Sequence, residues 1–333
     1  MKKKRNKKRI SLIIIGLILA AIISLGIYAG CFIANKLNNI NIEEIDTSNL
    51  STNEELYEQV SDSITRKEFE NIKTFALFGI DSQDSMIGRS DTIIIVSVNY
   101  NNKSVKMISI PRDTYVSVSG HGKTKINHAY AYGGASLALK TINENFGLDI
   151  TEYVSIDFTG LIHIINKIGG IEMNITKDEM NYINEHSYEC GYSITGRATK
   201  KVTSYGTVLL DGEQAITHSR NRTTGEGSDF ARAEHQRDVL QKIMDKFTKM
   251  GTSKLLDMSD TILKEVKTNI NVMDYVGKLT DVVLNSSTYF GNITSIQIPS
   301  TEYGKGQMIN GGYYFVADSE KMKEEMIDYI YKK

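Results

Sequence analysis

Three apolar runs, each ending at charged residues, dominate the hydrophobic pattern between residues 75 and 113. They cover residues 75–80, 92–98 and 104–110 and are rich in apolar and β-branched side chains. Short runs of this composition, bounded by polar turns, predict β-strands. Because the runs contain few polar positions, we expect both faces of the sheet to be covered, as in a central sheet between helices.

Helical and strand patterns alternate along the rest of the chain. Apolar side chains recur at helical spacing within residues 135–146 and 161–168, and the spacing of Asp211 and Gln214 is that of a capping box. Residues 177–206 are polar and irregular, and we expect a surface excursion there. The further predicted elements are strands at 153–158, 171–175 and 293–298, and helices from Arg232, near 253–266, near 272–284 and over 318–331. This alternation predicts an α/β layered fold.

The amino-terminal pattern predicts a membrane anchor. Residues 1–9 carry seven positive charges, and residues 10–34 contain no ionisable side chain except Tyr28 and Cys31. An apolar run of about 20 residues is long enough to span a bilayer, and a basic flank stays on the cytoplasmic side. We therefore expect a cytoplasmic tail, one transmembrane signal anchor and an extracellular remainder. A cleaved signal peptide and lipidation at Cys31 are the two alternatives.

Residues 35–72 are polar and acidic, which favours a juxtamembrane stalk before a catalytic domain at residues 73–333. Seven of the 39 basic residues lie in the tail, so the remaining 32 face 40 acidic residues, a formal charge of −8. Nucleic-acid-binding domains are normally basic, so we expect no nucleic-acid partner. Of the two cysteines, one lies in the apolar run, which argues against a structural disulfide and excludes a cysteine metal site.

Charged side chains gather where the predicted elements end. Two carboxylates flanking a short loop can hold Mg²⁺, a cation that takes oxygen ligands and often shares them with phosphate. Arginine guanidinium groups match phosphate oxygens two at a time. Together these groups predict a site for a pyrophosphate with magnesium. Its candidate members are Asp81, Arg89, Asp91, Arg112, Asp113, Arg220, Arg222, Asp229, Arg232, Gln236 and Arg237.

Two further points concern single residues. Asp229 lies three residues before Arg232 and is a candidate general base, with capping of the following helix as the alternative role. The histidines show no metal-ligand spacing along the sequence; they are His121, His128, His163, His186, His218 and His235.

Several of these motifs resemble the LytR-CpsA-Psr family of Gram-positive cell-wall proteins. The resembling blocks, in order between residues 75 and 247, are LFGIDS, GRSDTIIIVSV, ISIPRDTYV, KINHAYAYGG, LLDGEQAITHSRNR and DFARAEHQ. The resemblance implies a three-layer α/β/α fold with a central mixed sheet and a hydrophobic lipid tunnel. It also implies a Mg²⁺-dependent phosphotransferase that moves a glycopolymer, such as teichoic acid or capsular polysaccharide, from a polyprenyl pyrophosphate carrier to peptidoglycan.

The same resemblance assigns roles to the charged residues. Asp81 and Asp91 match the metal-binding aspartates, with Mn²⁺ as the alternative ion. The pyrophosphate-binding set comprises Arg89, Arg112, Arg220, Arg222, Arg232 and Gln236. Beyond the resemblance, we expect Asp229, Arg112 and Arg222 to be the catalytic residues. One departure is the run His235-Gln236-Arg237, where the family often has an arginine followed by two glutamines.

Two other functions fit the same motifs. A hydrolase would cleave polyprenyl pyrophosphate with water in place of the wall acceptor. A non-enzymatic membrane-bound regulator or sensor would bind lipid-linked wall precursors without turnover. The acidic domain and its placement outside the cell argue against a DNA-binding regulator.

Overall fold

The computed structural model describes residues 41–50, 53, 55–82, 88–195, 200–221, 235, 238–239, 242–243, 246, 258, 262–275, 277–278, 281–282 and 285–332, with the backbone alone at 41, 188–195, 272–273, 286–287 and 290. Two compact units are present, one formed by Ile42–Ser155 with Lys267–Lys333 and the other by Ile156–Val266. The basic tail and the predicted transmembrane helix at residues 10–34 lie outside the described residues. Among the helices that are described, none combines the length and apolar character needed to span a membrane.

The described elements follow in chain order. They are β1 (Asn41–Ile42), α1 (Leu56–Val60), α2 (Arg66–Glu70), β2 (Ile72–Asp81), β3 (Arg89–Asn99), β4 (Ser104–Ile110), β5 (Tyr115–Val118), β6 (Gly122–Lys125), α3 (His128–Phe146), β7 (Tyr153–Asp157), α4 (Phe158–Lys167), β8 (Ile171–Ile175), α5 (Lys177–Thr195), β9 (Gly206–Leu210), α6 (Gly212–Ser219), β10 (Val266–Thr268), a 3₁₀ helix (Val272–Tyr275), α7 (Ser286–Gly291), β11 (Ile293–Gln297), β12 (Gly304–Ile309), β13 (Gly312–Ala317) and α8 (Ser319–Tyr331).

A seven-stranded mixed sheet organises the first unit. The strand order is β1-β10-β7-β2-β3-β4-β11. Strands β2, β3 and β4 pair antiparallel in sequence, whereas β11 pairs parallel to β4. The three apolar runs predicted as strands lie inside β2, β3 and β4, so the prediction of a mixed α/β fold with a central mixed sheet is confirmed.

Both ends of the first predicted loop are part of the sheet. The sequence predicts a polar loop that carries Arg89 and Asp91, but β3 begins at Arg89, and Asp81 is paired with Arg89. The loop prediction was therefore wrong at these residues. Charged side chains at a strand end interrupt the apolar pattern without interrupting the backbone ladder, which is why the pattern underestimates the strand.

Helix α3 covers one face of this sheet. Its buried side chains include Ala135, Ala138, Leu139, Ile142 and Phe146, the face that the sequence predicts. They pack in one cluster with β-strand residues and with Met322, Met326 and Ile330 of α8. Burying each large apolar side chain contributes roughly 1.5–3 kcal/mol, so this cluster is the main source of the unit's stability.

The region predicted as a juxtamembrane stalk contributes to the same core. Leu50, Leu56, Val60 and Ile64 are buried within the cluster. Helix α1 lies where the sequence suggests a short helix near residues 54–60. The described residues of this part of the chain, from Ile42 onwards, belong to the first compact unit.

The second unit contains a helix that the sequence does not predict. Residues 177–206 were expected to form an irregular surface excursion, but Lys177–Thr195 is the helix α5. The Glu179 carboxylate accepts the backbone N–H of Thr176 at 2.7 Å, and the Glu179 N–H is 3.2 Å from Thr176 Oγ1. This is a capping box, and the signal was present in the sequence as Thr176-Lys177-Asp178-Glu179.

Helix α6 begins as predicted. The Asp211 carboxylate accepts the Gln214 N–H at 2.9 Å, and the Gln214 side chain accepts the Asp211 N–H at 2.9 Å. The helix packs against α4, because Gly212 leaves room for the Ile162 backbone, where an added Cβ would lie 2.4 Å from the Ile162 carbonyl oxygen. The cap and the glycine together fix where the chain enters α6.

The antiparallel pair β8–β9 offers a stability test. Gly170 and Gly206 both have positive φ, +80° and +90°. A Cβ at Gly170 would lie 2.6 Å from the Leu210 carbonyl oxygen, whereas a Cβ at Gly206 would meet nothing within 4 Å. We expect Gly206→Ala to cost about 1–2 kcal/mol through its backbone conformation. Gly170→Ala should cost at least about 1 kcal/mol more, because the added contact forces the strand pair apart.

Urea denaturation of both variants measures this difference. Equal losses for the two alanines would show that the approach of Gly170 to Leu210 does not constrain the strand pair.

Candidate functional site

A β-bulge places Asp91 at the charged end of the central sheet. In the β2–β3 register, Gly79 pairs with Thr92 but Ile80 pairs with Ser90, so Asp91 is the extra residue. A bulge bends the strand and redirects a side chain, and bulges are frequent beside functional sites. Gly79 suits this position, because its missing Cβ would lie 3.0 Å from the Thr92 side chain.

Asp91 is held by two side chains from later elements. Arg112, directly after β4, donates from Nη1 to Asp91 Oδ2 at 2.6 Å, and Asn127 donates from Nδ2 to Asp91 Oδ1 at 3.0 Å. The Asp91 side chain is 7% exposed and that of Arg112 is 16% exposed. A charged hydrogen bond screened this well from water is stronger than a surface ion pair, so Asp91 fixes the orientation of Arg112.

Asp113 and Lys125 extend the cluster. Lys125 Nζ lies 2.5 Å from Asp113 Oδ1, and Arg112 Nε lies 3.6 Å from Asp113 Oδ2. Lys125 ends β6, a strand that pairs antiparallel with β5 in a hairpin after Asp113. The hairpin therefore returns the chain so that residues twelve positions apart share one ionic network.

The pKa of His128 reflects the positive charge at this end of the sheet. Burial, and then the positive charges of Arg89 and Lys125, lower the pKa of His128 below its usual value of 6.5. Its Nδ1 lies 2.9 Å from Thr124 Oγ1. The lowered pKa favours the neutral form of His128. An anion bound nearby would reduce the repulsion between Arg89 and Lys125.

Two buried oxygens beside Asp91 lack a hydrogen-bond partner among the described residues. They are the hydroxyl of Ser90 and the amide oxygen of Asn127. A buried polar atom without a partner costs roughly 1–3 kcal/mol, which points to a group that completes the site. Amide, hydroxyl and carboxylate oxygens are ligands that Mg²⁺ accepts.

The sequence-predicted members of the site fall into three groups. Asp81, Arg89, Asp91, Arg112 and Asp113 all belong to the first unit. Arg220 belongs to the second unit, where it caps the end of α6 and its guanidinium lies 5.5 Å from the centre of the Phe158 ring. The remaining candidates lie outside the described residues; they are Arg222, Asp229, Arg232, Gln236 and Arg237.

Three members of the network were missed as site residues, although the resembling motif KINHAYAYGG contains them. They are Lys125, Asn127 and His128. Their side chains become neighbours of Asp91 and Asp113 because the β5–β6 hairpin folds back, and the sequence analysis did not predict that hairpin. The signal available in the sequence was the pair Gly120 and Gly122, since glycines close together are typical of a tight turn. In the structure both have positive φ, +78° and +70°.

The first unit is thus a mixed α/β unit with an ionic network of arginine, lysine and aspartate side chains at one end of its sheet, and arginine side chains match phosphate oxygens. The sequence model of the LytR_cpsA_psr family matches residues 35–328. This chain belongs to the LytR_cpsA_psr family. Its membership confirms the resemblance seen in the motifs.

Known relatives are similar over most of their length. The chain is 34% identical over 251 residues to the polyisoprenyl-teichoic acid–peptidoglycan teichoic acid transferase TagU of Enterococcus faecalis, which covers 74% of this chain and 75% of that protein. It is 30% identical over 332 residues to the corresponding transferase TagT of Bacillus subtilis, covering 97% and 94%.

A solved structure of a family member extends this comparison. The family protein YwtF (TagT) with bound octaprenyl pyrophosphate lipid is 26% identical, with a TM-score of 0.51, over 78% of this chain and 91% of that chain.

The Asp91–Arg112 pair can be tested without any assay of function. Asp91→Asn keeps the size of the side chain but removes the charge that Arg112 faces. We expect a loss of about 2 kcal/mol in the free energy of unfolding, as for other charged hydrogen bonds. Urea denaturation measures the loss.

A surface pair serves as the control. Glu58 pairs with Arg66 at 3.4 Å while both side chains are more than half exposed. Glu58→Gln should change stability by less than about 0.5 kcal/mol. If Asp91→Asn changes stability no more than this control, Asp91 does not anchor the network.

Proposed function

We propose that this protein moves a glycopolymer, such as teichoic acid or a capsular or other wall polysaccharide, from a polyprenyl pyrophosphate carrier to peptidoglycan. Membership of the family and the names of its two transferase relatives support this proposal. The related structure with a bound octaprenyl pyrophosphate supports the carrier. The observation that carries the proposal is the ionic network in which Asp91 and Asp113 hold Arg112 and Lys125 in place.

The charges of that network suit a pyrophosphate. Arg112, Lys125 and Arg89 bring three positive charges to one end of the sheet, where Asp91 and Asp113 engage two of them. A guanidinium presents five N–H donors in one plane, a geometry that matches pairs of phosphate oxygens. Arg112 is therefore oriented before the ligand arrives, and binding requires little reorganisation.

Oxygen donors near Asp91 fit a magnesium ion. Asp81 and Asp91 are the proposed ligands. The side chain of Asn127 donates to Asp91, and its own amide oxygen is buried without a partner among the described residues. Mg²⁺, with Mn²⁺ as the alternative, would supply additional neutralisation of the pyrophosphate charge. Arg112 and Asn127 hold the Asp91 carboxylate, and they keep its oxygens oriented.

The proposed reaction is a phosphoryl transfer to a sugar hydroxyl of the wall. The hydroxyl oxygen forms a bond with the phosphorus that carries the glycopolymer, and the bond from that phosphorus to the bridging oxygen breaks. Polyprenyl phosphate leaves with the bridging oxygen, while a base takes the hydroxyl proton. The arginines stabilise the negative charge that grows on the leaving oxygens.

Residues of the second unit complete the proposal by resemblance. Arg220, Arg222, Arg232 and Gln236 are assigned to pyrophosphate binding, and Arg222 also to catalysis. Asp229 is the proposed base. Variants of each unit must therefore be tested separately.

The proposed location follows from the same reaction. A lipid-linked donor and the wall acceptor meet at the outer face of the cell membrane. A cytoplasmic tail at residues 1–9, a single transmembrane anchor at residues 10–34 and an extracellular catalytic domain would place the site there.

The decisive experiment uses the full chain in detergent with a defined lipid-linked glycan, Mg²⁺ and peptidoglycan. Wall-attached polymer that depends on all three supports the transferase. A hydrolase would release glycan phosphate at the same rate without peptidoglycan. A regulator would bind the lipid-linked glycan with no turnover.

Arg112 gives the sharpest activity prediction. Removing one charged hydrogen-bond donor should lower the rate of transfer about 10- to 150-fold, corresponding to roughly 1.5–3 kcal/mol. Lysine should not restore the rate in Arg112→Lys, because a point charge cannot bind two oxygens in one plane. The control is Arg66→Lys, at a side chain that is 57% exposed. Full activity of Arg112→Lys would remove Arg112 from the pyrophosphate site.

Asp229 is tested by a substitution that separates capping from proton transfer. Asn caps a helix about as well as Asp, but it cannot accept the hydroxyl proton. Asp229→Asn should therefore keep the melting temperature and lose transfer. An active variant would assign Asp229 to capping and leave another group as the base.

A further inference from the structure

A buried cluster in the second unit combines two histidines with a carboxylate. It consists of Glu179 in the first turn of α5, His218 near the end of α6, and His235. One ligand atom from each residue lies within 4.8 Å of the other two. The sequence shows no metal-ligand spacing, because 39 and 17 residues separate the three side chains, and only the fold brings them together.

Hydrogen bonds outside the cluster orient two of its members. Glu179 Oε2 accepts the backbone N–H of Thr176 at 2.7 Å, which leaves Oε1 directed to His235 Nε2 at 2.9 Å. His235 Nδ1 lies 3.2 Å from the carbonyl oxygen of Asn221, to which it can only donate. A ligating histidine commonly donates its other N–H to a backbone carbonyl in this way, and the arrangement fixes the tautomer.

His218 is the member that a simple ion pair does not explain. A proton shared between Glu179 and His235 satisfies those two side chains, but it leaves the buried His218 Nδ1 without a hydrogen-bond partner among the described residues. The His218 and His235 rings lie 4.5 Å apart between centres, so the His218 ring is in contact with the pair. One ion with three coordination sites would satisfy all three residues.

The protonation states of His218 and Glu179 suit metal binding, whereas that of His235 opposes it. Against the effect of burial, the hydrogen bonds to Glu179 and to the Asn221 carbonyl raise the pKa of His235, so an ion that binds this ring must displace a proton. Burial, and then the charge of His235, lowers the pKa of His218 to about 4, so its ring is neutral at pH 7. The hydrogen bond from His235 lowers the pKa of Glu179 to about 2, so its carboxylate is charged. Neutral imidazole and charged carboxylate are the forms that bind metals.

We propose that Glu179, His218 and His235 form a binding site for a divalent transition metal of the zinc class. Two histidines and one glutamate are a known zinc ligand set that leaves a coordination position for water. Zinc ligands at about 2.0–2.1 Å from the ion stand roughly 3.3 Å apart, so the widest separation must shorten by about 1–1.5 Å. Side-chain torsions of the three ligands would have to rotate to close this distance.

This site differs in chemistry from the proposed magnesium site in the first unit. Imidazole nitrogen favours Zn²⁺, Co²⁺ and Ni²⁺, whereas Mg²⁺ takes oxygen ligands and holds its water tightly. The ion would link the start of α5 to the end of α6, two residues before Arg220. The role of the ion is therefore to fix the end of α6, the helix that precedes Arg220 and Arg222. The proposal of this metal site does not depend on the proposed transfer reaction.

The test measures metal binding to the full chain in detergent after treatment with EDTA. Equilibrium dialysis with ZnCl₂ should give one bound zinc per chain, and CoCl₂ should produce the visible absorption of a four- or five-coordinate ion. Excess MgCl₂ should displace neither metal. Removing a residue that only supports a ligand typically costs 10- to 100-fold in metal affinity. Glu179 and His218 are proposed as direct ligands, so Glu179→Gln and His218→Gln should each weaken binding by about 100-fold or more.

The matched control is a second histidine–glutamate pair in the same unit. His163 Nδ1 lies 2.8 Å from Glu265 Oε1 in an exposed position, and His163→Gln should leave zinc binding unchanged. Binding that survives either Glu179→Gln or His218→Gln overturns the three-ligand site, as does a chain that retains no zinc. If His218→Gln lowers the melting temperature too far for study, Glu179→Gln decides alone, because glutamine can still accept the Thr176 N–H.

Discussion

The arrangement of side chains at the charged end of the central sheet depends on the Asp91 carboxylate, which is held in one orientation. Asp91 is the extra residue of a β-bulge, and both of its oxygens accept hydrogen bonds, from Arg112 and Asn127. Because the bulge is fixed by the register of two long strands, the position of Arg112 follows from the core of the sheet. Asp113 and Lys125 then continue the network along the next hairpin. A site built in this way inherits the rigidity of the sheet.

Local patterns in the sequence predicted the parts of the fold that rest on local physics. The three central strands follow from continuous apolar runs, and the buried face of α3 follows from helical spacing. The start of α6 follows from the capping box at Asp211. Helix α5 was missed although Thr176 and Glu179 carry the same kind of cap, because its low overall hydrophobicity hid the helical pattern. Apolar periodicity is thus a poor guide for helices that bury little.

The sequence predicted several residues of the charged cluster, but it did not predict most of the contacts between them. Sequence reasoning found Asp91, Arg112 and Asp113 because they stand at the ends of apolar runs. It could not show that Asn127 and Lys125 share those carboxylates, since that contact depends on an unpredicted hairpin. The cluster of Glu179 and two histidines has the same origin, because its members come from separate elements and no spacing along the chain connects them.

The order of the two units along the chain constrains how the protein can be made. The first unit is interrupted after Ser155 and resumes at Lys267, so its core is completed by side chains of α8 near the carboxyl terminus. During synthesis, β2, β3 and β4 are finished long before α8 exists to cover them and before β11 can join β4. These apolar strands therefore stay partly uncovered while about two hundred further residues are synthesised. A premature stop before α8 would leave an aggregation-prone sheet in place of a shortened but folded protein.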